Sequence, residues 1–574
     1  MIWKNCWRRS GVRFLTVAVP LVLAVTSCRM PGEKQDLNQL TEEFIYSSLA
    51  LTPVTATGVG YHQHHGTRLD ELLDDYGFRG LREQMQFYRN FSDRLDRIQP
   101  ESLSAEDRAD YRILKNQVAL GLLELTTIRS YRHNPTVYVE LIGNALFGPY
   151  VLEYAPKPER YRHIIKRLVR VPLLLDQAKA NLVDSPEVWN KVAREEDQGT
   201  LALIDKTMRA AAPPELKADY DRAAALALDA IRKFDDYLAS DLSQRTSTWR
   251  LGKDKYAQKF RDTLDVGKTP DEVLADAEAE LKRVREEMVR LAAPKPLAQA
   301  LDEIARQHAT PETYFEAARQ DLREATDFVR AKQLLSLPPR QNLQVIPTPE
   351  FMRGVYGVGG FNPAPALEPA LGAFYWITPI SPAWPKERVE SKLREYNTYG
   401  LHQLTIHEAM PGHYVQAEFA NDVQPKPRRL LRNVYGNGAY VEGWAVYCQQ
   451  LMSDEGFLNN NPALKLTFLK QMLRVISNSI LDIRLQTMNM TEQEALDLML
   501  RDTFQEREEA TAKLQRAQLT SSQLPMYFVG WRGWLQARED YKKREGEKFQ
   551  LRKFHDSALK ESAVPLPVLG DLLR

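Results

Sequence analysis

Apolar residues recur at alternating spacings of three and four along much of the chain, and this spacing is typical of amphipathic helices. The clearest example is the segment 269–292, in which Thr269 suits the N-cap and Glu272 completes a capping box. The apolar stripe of this segment consists of Leu274, Ala277, Leu281, Val284, Met288 and Leu291. The same start signal occurs at 104–107 and at 491–494, and a long amphipathic stretch follows each. Because strand-like runs are few, the pattern predicts a mainly α fold.

One segment, residues 345–388, interrupts the helical pattern because it is dense in glycine, proline and aromatic residues. Within it, residues 373–378 read AFYWIT and are the best strand candidate in the second half of the chain. Such a strand can present an exposed edge to an extended peptide, which makes Tyr375 and Trp376 candidate substrate-binding residues. It can equally be a buried strand, and the sequence leaves both readings open.

Composition places the chain among soluble globular proteins. It has 574 residues, of which 43% are hydrophobic and 27% charged, and its mean hydropathy is −0.45. That material is ample for a large core. The formal net charge is +1, and it becomes −3 if the four lysines and arginines of the first 27 residues are removed. A near-neutral chain gives no electrostatic reason to expect nucleic-acid binding.

The first residues predict a secretion signal. A positively charged start precedes the apolar run 14–25, which is too short to span a bilayer. It leads into Val-Thr-Ser-Cys at 25–28, which resembles the lipobox of bacterial lipoproteins and makes Cys28 the lipidated N-terminus. An ordinary signal peptide with a chance cysteine is the alternative. We therefore expect a signal peptide at 1–27, a tether at 28–40 and one helical domain at 41–574.

The same start predicts where the protein resides. A lipid on Cys28 would be the only membrane attachment, in the bacterial cell envelope. Arg29, which follows it, favours the outer membrane, facing the periplasm, because inner-membrane retention signals place Asp at that position. With Cys6 removed and Cys28 lipidated, Cys448 is the only thiol left, so no internal disulfide is expected.

The candidate chemistry begins at residues 404–416, which read LTIHEAMPGHYVQ. His407 and His413 can each give an imidazole nitrogen to a metal, and Glu408 can act as a base. Six residues on a regular α-helix turn the second histidine by about 600°, or 120° from the first face. The intervening Met-Pro-Gly contains a helix breaker and a permissive residue, so a bulge there can return His413 to the metal.

A third ligand candidate lies downstream, in the apolar and aromatic stretch 439–447. Glu442 is the one carboxylate in that stretch, and burying it without a partner or a metal would be costly. Two histidines and one glutamate with an open fourth position are typical of catalytic zinc. We therefore expect one Zn²⁺ per chain, although other first-row ions suit the same ligands. His402, five residues before His407, is predicted to be structural.

HEAMPGH followed by VEGWAVY resembles the bacterial family known as domain of unknown function 885. Similar segments occur at 53–70, at 482–485 and at 519–530, so the resemblance spans roughly residues 40–570. Members are large helical proteins considered related to the Glu-zincin metallopeptidases, which implies a helical metallopeptidase-like fold with a small strand-containing segment beside the active-site helix. The family often has histidine where this chain has Gln486, which argues against a metal-binding role at that position.

The resemblance and the motif together assign roles. The predicted zinc ligands are His407, His413 and Glu442, with Glu408 as general base. By analogy with zinc peptidases, Tyr527 is the candidate donor to the oxyanion, although a core aromatic with a satisfied hydroxyl is an equal alternative. Arg484 can bind a substrate carboxylate, but a buried ion pair with a neighbouring helix is the stronger alternative.

The leading functional hypothesis is a zinc peptidase that acts on oligopeptides or peptide-like substrates in the envelope. A zinc amidohydrolase of non-peptide amides would use the same residues. A catalytically silent binding or scaffold lipoprotein is a third hypothesis, against which stands Glu408, because a structural metal site needs no neighbouring base. The last alternative is that HEAMPGH is plain core sequence. The oligomeric state is not predicted.

Overall fold

The computed structural model describes residues 36–349, 353 and 357–574, and most of them are helical. The predicted signal peptide, Cys28 and the first part of the tether lie outside the described residues. Within the described ranges, no helix combines the length and the apolar character needed to cross a bilayer. The mainly α fold predicted from the periodicity is confirmed.

The first half of the described chain is almost entirely helical. Its helices are α1 (Leu37–Leu51), α2 (Pro53–Gly58), α3 (Phe78–Leu95), α4 (Ala105–Leu123), α5 (Thr136–Val151), α6 (Lys157–Asn181), α7 (Glu187–Ala202), α8 (Arg209–Ala211), α9 (Lys217–Ser240), α10 (Lys253–Leu264), α11 (Pro270–Ala292), α12 (Leu297–Ala305) and α13 (Tyr314–Lys332). A short antiparallel pair, β1 (Gln63–His64) and β2 (Thr67–Arg68), follows α2.

The second half opens with three strands and then returns to helices. The strands are β3 (Leu343–Pro347), β4 (Gly359–Asn362) and β5 (Ala373–Ile377). The helices are α14 (Lys386–Glu395), α15 (Thr398–Glu408), α16 (His413–Ala420), α17 (Lys426–Val434), α18 (Gly438–Asp454), α19 (Phe457–Asn460), α20 (Pro462–Thr487), α21 (Glu492–Asp497), α22 (Arg507–Leu519), α23 (Met526–Glu545), α24 (Leu551–Lys560) and α25 (Leu566–Leu572).

The predicted helix starts are present, but one helix is shorter than expected. Thr269 caps α11 with the reciprocal bonds of a capping box, and Ser104 caps α4 by accepting a bond from the backbone N–H of Asp107. Thr491 forms the same capping box at α21. However, α21 ends at Asp497 and continues only as one π-helical turn to residue 502, so no long helix follows that start.

The predicted tether at 28–40 is too long, because α1 begins at Leu37. The predicted tether includes Leu37 and Leu40, yet both are buried. They begin the apolar stripe of α1, which continues at Phe44 and Ile45. A stripe that starts within four residues of a polar run is easily missed when only average polarity is considered.

The three largest apolar clusters of the described residues are each formed by a different group of helices. Helices α5, α6, α7 and α9 pack around one cluster, and α1, α3, α4 and α17 around a second. The largest cluster lies mainly in the second half of the chain and surrounds α18, α20 and α23. Helix α20 is buried on nearly all sides, which explains why its sequence carries no single apolar stripe.

The three-stranded sheet has the order β3-β5-β4, with β5 parallel to β3 and antiparallel to β4. The predicted strand is therefore the central one and both of its edges are paired. Tyr375 and Trp376 are 0% and 2% exposed. The prediction that this strand offers an exposed edge, and that these two side chains bind substrate, is wrong. The apolar run AFYWI is typical of a strand covered on both faces, which was the alternative reading.

Helices α18 and α23 approach each other closely at two glycines. A Cβ atom at Gly530 would overlap the carbonyl oxygen of Ala439, and a Cβ atom at Gly443 would overlap the backbone of Gly530. The helix backbones can meet only because both positions lack a side chain. This contact fixes the position of Glu442, on α18, relative to Tyr527, on α23.

Candidate metal centre

The HEAMPGH segment forms two helices joined by a sharp turn. Helix α15 ends at Glu408, and α16 begins at His413. The sequence predicted a bulge within one helix, whereas the chain stops one helix and starts another. Gly412 is required in this turn, because a Cβ atom there would overlap the carbonyl oxygens of Ile406 and His407. The break removes the helical phase difference that separated the two histidines.

The turn is held in place by α18, the helix that carries the third ligand. The indole Nε1 of Trp444 donates to the carbonyl oxygens of Pro411, at 3.0 Å, and of Gly412, at 3.2 Å. The backbone N–H of Gly412 donates to the carbonyl of Ile406 at 3.0 Å. Because Trp444 lies two residues after Glu442, one helix both supplies a ligand and positions the turn between the other two.

The three predicted ligands meet at one point. Nε2 of His407 and Nε2 of His413 are each 3.4 Å from Oε2 of Glu442. The two imidazole rings lie nearly perpendicular to each other, with centroids 4.7 Å apart. All three side chains are mostly buried, with exposed fractions of 14%, 11% and 19% in the same order. Three ligand atoms from three helices therefore converge in a site that solvent still reaches.

The charges at this point favour an ionised carboxylate. Burial alone would raise the pKa of Glu442, but the two imidazoles beside it lower that pKa below its ordinary value. Burial alone would lower the pKa of His413, but Glu442 and Glu408 raise it. The carboxylate charge of Glu442 is thus stabilised by positive charge at this point, which protons on the imidazoles or a bound cation can supply.

These residues fit a divalent metal ion. Oε2 of Glu442 is buried and makes no well-formed hydrogen bond, although two imidazole nitrogens lie close to it. The three ligand atoms lie within 4.8 Å of one another. Two imidazoles and one carboxylate are the ligand set of catalytic zinc, and in such sites the ligands leave one position open. The buried oxygen without a hydrogen bond is the observation that an ion would explain.

Glu408, the predicted base, is the last residue of α15 and directly follows the ligand His407. Its side chain is partly exposed, and its charge contributes to the raised pKa of His413. The carboxylate therefore lies close to the ligand group without belonging to it. That is the position a general base needs.

Tyr527 lies beside the ligand group, where the analogy with zinc peptidases predicts it. Its ring stacks against the imidazole of His407, with centroids 6.1 Å apart and an angle of 19° between the planes. Burial raises the pKa of Tyr527, which keeps the hydroxyl protonated at neutral pH. The hydroxyl also has a hydrogen-bond partner, Arg516. Tyr527 therefore lies beside the ligands, as an oxyanion donor must, and also has the satisfied hydroxyl of the alternative.

Arg516, on α22, is a site residue that sequence reasoning missed. Its Nη2 donates to the hydroxyl oxygen of Tyr527 at 3.1 Å and to Oε1 of Gln523 at 2.9 Å. Since the guanidinium occupies a lone pair of Tyr527, the hydroxyl hydrogen stays free to donate elsewhere. An arginine in a charged amphipathic helix gives no local signal of such a contact.

Arg484, a candidate substrate-binding residue in the sequence, forms an ion pair with a neighbouring helix. Its Nη2 pairs with Oε1 of Glu278, on α11, at 2.6 Å, and both side chains are substantially exposed, at 39% and 44%. The contact is the interhelical ion pair offered as the alternative, although it is exposed. The neighbouring Asp482 and Gln486 also have structural contacts: Asp482 accepts from Tyr256, and Gln486 from the backbone of Leu251.

The β-sheet reaches the site through two contacts. The hydroxyl of Tyr375, on β5, lies 3.1 Å from the hydroxyl of Thr405, on α15, in a buried hydrogen bond. The ring of Phe361, on β4, stacks against His413 with centroids 6.4 Å apart. The predicted arrangement of a small strand-containing segment beside the active-site helix is therefore confirmed, and β4 is the sheet's outer strand on this side.

Comparison with known proteins identifies the family. A family model described as "Bacterial protein of unknown function (DUF885)" matches residues 53–573. A comparison with curated proteins found no match. Because the model matches nearly the whole described chain, the resemblance seen in the sequence is confirmed.

Solved structures with the same fold are similar along almost the whole chain. A candidate lipoprotein of unknown function from Shewanella oneidensis has a TM-score of 0.78 at 28% identity, covering 94% of this chain and 100% of its own. A candidate lipoprotein from Colwellia psychrerythraea has a TM-score of 0.76 at 19% identity, covering 94% and 98%. A metallocarboxypeptidase from Trypanosoma cruzi reaches a TM-score of only 0.31 at 12% identity, and that likeness carries no argument.

Proposed function

Because the chain belongs to the DUF885 family of bacterial proteins of unknown function, we propose its function from the site itself: a zinc-dependent metallopeptidase that hydrolyses oligopeptides in the bacterial envelope. The observation that carries the proposal is the convergence of two imidazole nitrogens, each 3.4 Å away, on a buried carboxylate oxygen of Glu442. A base and a phenol border this group. Metal ligands with reactive neighbours favour catalysis over a structural role.

Each residue has a defined task in the proposed hydrolysis. His407, His413 and Glu442 would hold a zinc ion, which would supply a Lewis acid for the scissile carbonyl and for the activation of water. Glu408 accepts the proton that the attacking water loses as its oxygen bonds to the carbonyl carbon. The same carboxyl group then delivers this proton to the leaving nitrogen as the C–N bond breaks.

Tyr527 stabilises the negative charge that develops on the carbonyl oxygen. Its hydroxyl hydrogen is free to donate because Arg516 engages the hydroxyl oxygen at 3.1 Å. Stacking against His407 holds the phenol beside the ligand group. Arg516 is a positioning residue in this scheme, since it acts through Tyr527.

Strand β4 replaces β5 as the proposed binding edge for the peptide. Among the described strands it pairs only with β5, so its other edge has no strand partner. Phe361 of β4 stacks against His413, so this strand lies next to a ligand, which supports the assignment. An extended substrate that adds to β4 would form backbone hydrogen bonds and present a peptide bond to the site.

After removal of residues 1–27, a lipid on Cys28 would anchor the protein at the outer membrane, facing the periplasm. The charged and apolar start of the sequence and its Val-Thr-Ser-Cys segment support the anchor. Similarity to candidate lipoproteins from two bacteria agrees with it. The mature chain would then comprise a short tether and one catalytic domain.

The first test combines zinc content with peptide hydrolysis on the purified mature protein. Zinc-loaded wild type should cleave members of a defined oligopeptide mixture, followed by mass spectrometry. Glu408→Gln should lower the rate by about a thousandfold while zinc binding is retained, because only the proton acceptor is lost. Glu442→Ala should lose both zinc at this site and hydrolysis.

Glu387→Gln is the matched control, because Glu387 is an exposed carboxylate on α14. It should leave the rate unchanged. If the protein hydrolyses acyl-amino acids but not peptides, its function is that of an amidohydrolase and not of a peptidase. Zinc binding at the site with no hydrolysis of either substrate class would contradict the enzyme and support the scaffold lipoprotein.

A further inference from the structure

A second group of histidine and carboxylate side chains lies on the same helix as the first ligand. His402, on α15, faces α13, and its Nε2 is 3.2 Å from Oδ1 of Asp321 and 3.1 Å from Oε2 of Glu324. Asp321 and Glu324 are three residues apart on α13, so they share one face of that helix. The sequence predicted a structural role for His402 and gave no sign of these partners.

The protonation of His402 follows from its other nitrogen. Nδ1 lies 2.7 Å from the carbonyl oxygen of Thr398, one turn earlier in α15. A carbonyl oxygen only accepts, so Nδ1 must carry a hydrogen. In the neutral ring, Nε2 then presents a lone pair to two carboxylate oxygens. Three electron-rich atoms that face one another require a positive centre between them.

The surroundings favour a metal cation as that centre. Metal-binding histidines usually donate their second nitrogen to a backbone carbonyl or a carboxylate, which orients the ring and fixes the tautomer, as Thr398 does here. Asp321 is 6% exposed, and its Oδ2 is buried without a hydrogen-bond partner. Glu324 is 39% exposed, so an ion can enter from solvent and retain water ligands.

We propose that Asp321, Glu324 and His402 bind a second divalent cation of the first transition row, such as zinc. One imidazole nitrogen and two carboxylate oxygens within 4.8 Å of one another supply the ligands. The ion joins α13 to α15. Since α15 also carries His407 and Glu408, this cation braces the helix that carries the first metal centre.

The role of this second cation is structural. His402 packs against the ring of Phe457, with centroids 5.7 Å apart, and its ring nitrogens lie beside the two carboxylates and the carbonyl of Thr398. Both carboxylates serve as ligands, which leaves no separate base in the group. Loss of the second cation should therefore lower the midpoint of thermal unfolding clearly. Hydrolysis by protein with zinc at the first site should fall less.

The proposal does not depend on peptidase activity, and its test separates the two metal sites. In Glu442→Ala, zinc at the first site is lost, so about one zinc ion per chain should remain and the midpoint of thermal unfolding should rise when zinc replaces EDTA. Adding Asp321→Asn or His402→Ala to this variant should remove both the ion and the zinc-dependent rise. Metal content is measured by mass spectrometry of the element.

His62→Ala is the matched control. His62 also contacts two carboxylates, but it uses Nδ1 for Asp70 and Nε2 for Glu368, so no nitrogen faces both. Added to Glu442→Ala, it should leave the zinc content unchanged. If Glu442→Ala holds no zinc at saturating concentrations, or if its zinc survives His402→Ala, the second cation site does not exist.

Asp321→Asn also distinguishes a cation from a proton. If an imidazolium on His402 were the positive centre, the aspartate would be its ion-pair partner, and the Asn variant would unfold at lower temperature in EDTA. If a cation is the centre, the variant in EDTA should unfold at the same temperature as its parent or higher. It loses a buried carboxylate whose Oδ2 has no partner. A lower midpoint in EDTA, combined with no zinc-dependent rise in Glu442→Ala, would overturn the proposal.

Discussion

The two histidine–carboxylate groups on α15 differ in what surrounds them. The first has two imidazoles and one carboxylate, with a base and a phenol beside them. The second has one imidazole and two carboxylates. In the second group a backbone carbonyl orients the histidine, whereas Nδ1 of His413 in the first is buried without a hydrogen-bond partner. Packing orients the rings of the first group: His407 against Tyr527, and His413 against Phe361.

The comparison shows that the residues needed to bind a metal differ from the residues needed for catalysis. Ligand atoms alone are similar in the two groups, and either could hold a divalent ion. Only the first group has groups nearby that can move a proton and stabilise an oxyanion. A site whose ligands are oriented by packing also depends on the helices that pack there, so distant changes should disturb the first group more than the second.

The largest expected effect comes from the glycine contact between α18 and α23. Gly530→Ala should force these helices apart, lower the free energy of unfolding by about 3 kcal/mol and reduce hydrolysis strongly. Urea unfolding and peptide hydrolysis measure the two effects. The zinc-dependent stabilisation in a Glu442→Ala background should persist, because the second group lies between α13 and α15.

Gly533→Ala is the control on the same helix. A Cβ atom there meets the side chain of Leu566, which can move, so the free energy of unfolding should change by no more than about 1 kcal/mol. Equal losses in Gly530→Ala and Gly533→Ala would mean that the close backbone contact does not control the first group.

A smaller effect is expected from the phenol beside His407. Tyr527→Phe should lower kcat by about ten- to a hundredfold, with unchanged zinc content, because its hydroxyl acts on charge that develops in the transition state. Steady-state kinetics on one cleaved peptide measures this. Tyr414→Phe is the control. Tyr414 directly follows the predicted ligand His413, but its hydroxyl donates to the backbone carbonyl of Arg340 at 2.7 Å. A similar loss of kcat in both variants would contradict the role of Tyr527.

The smallest expected effect is on the pH dependence of stability and comes from His555. Both of its ring nitrogens have hydrogen-bond partners, and neither partner is a carboxylate. Nδ1 of His555 lies 2.7 Å from the carbonyl of Leu334, and Nε2 lies 2.8 Å from the hydroxyl of Tyr447. Burial lowers the pKa of His555 to about 4 from 6.5, so the unfolded chain binds its proton first as the pH falls. Its contribution to stability is complete above pH 6.5 and is lost as the pH falls towards 4.

Between pH 7 and pH 5.5 this group should remove about 1 kcal/mol from the free energy of unfolding. Urea unfolding at the two pH values in EDTA measures the change, and His555→Gln should reduce it. The same substitution at exposed His65 should not. An unchanged pH response in His555→Gln would show that this histidine does not titrate as its burial requires.

The local features of the fold could be read from the sequence because they depend on neighbours a few residues apart. The capping residues Thr269 and Ser104 begin their helices as expected, and the stripe of α11 faces the core except at Leu291, which is exposed. The break after Glu408 follows from Pro411, which a helix interior does not accommodate, and from Gly412, which permits the tight turn. The missed start of α1 arose where two leucines stand within polar sequence.

Contacts between residues far apart in the chain could not be predicted from the sequence. The sequence named the residues of the first centre from their types and spacing, and Tyr527 from analogy. It did not indicate that Arg516 would contact Tyr527. Nor did it indicate that Asp321 and Glu324, about 80 residues before His402 along the chain, would face its Nε2.

The sequence by itself therefore determined the helical class, the helix starts and the residue types of a zinc ligand set, because periodicity, caps and helix breakers act over one or two turns. The tertiary structure decided that β5 is central rather than an edge, that Arg484 pairs with Glu278, and that a second ligand group forms. Strand order and helix packing join residues far apart in the chain, and no local pattern records which of them will meet.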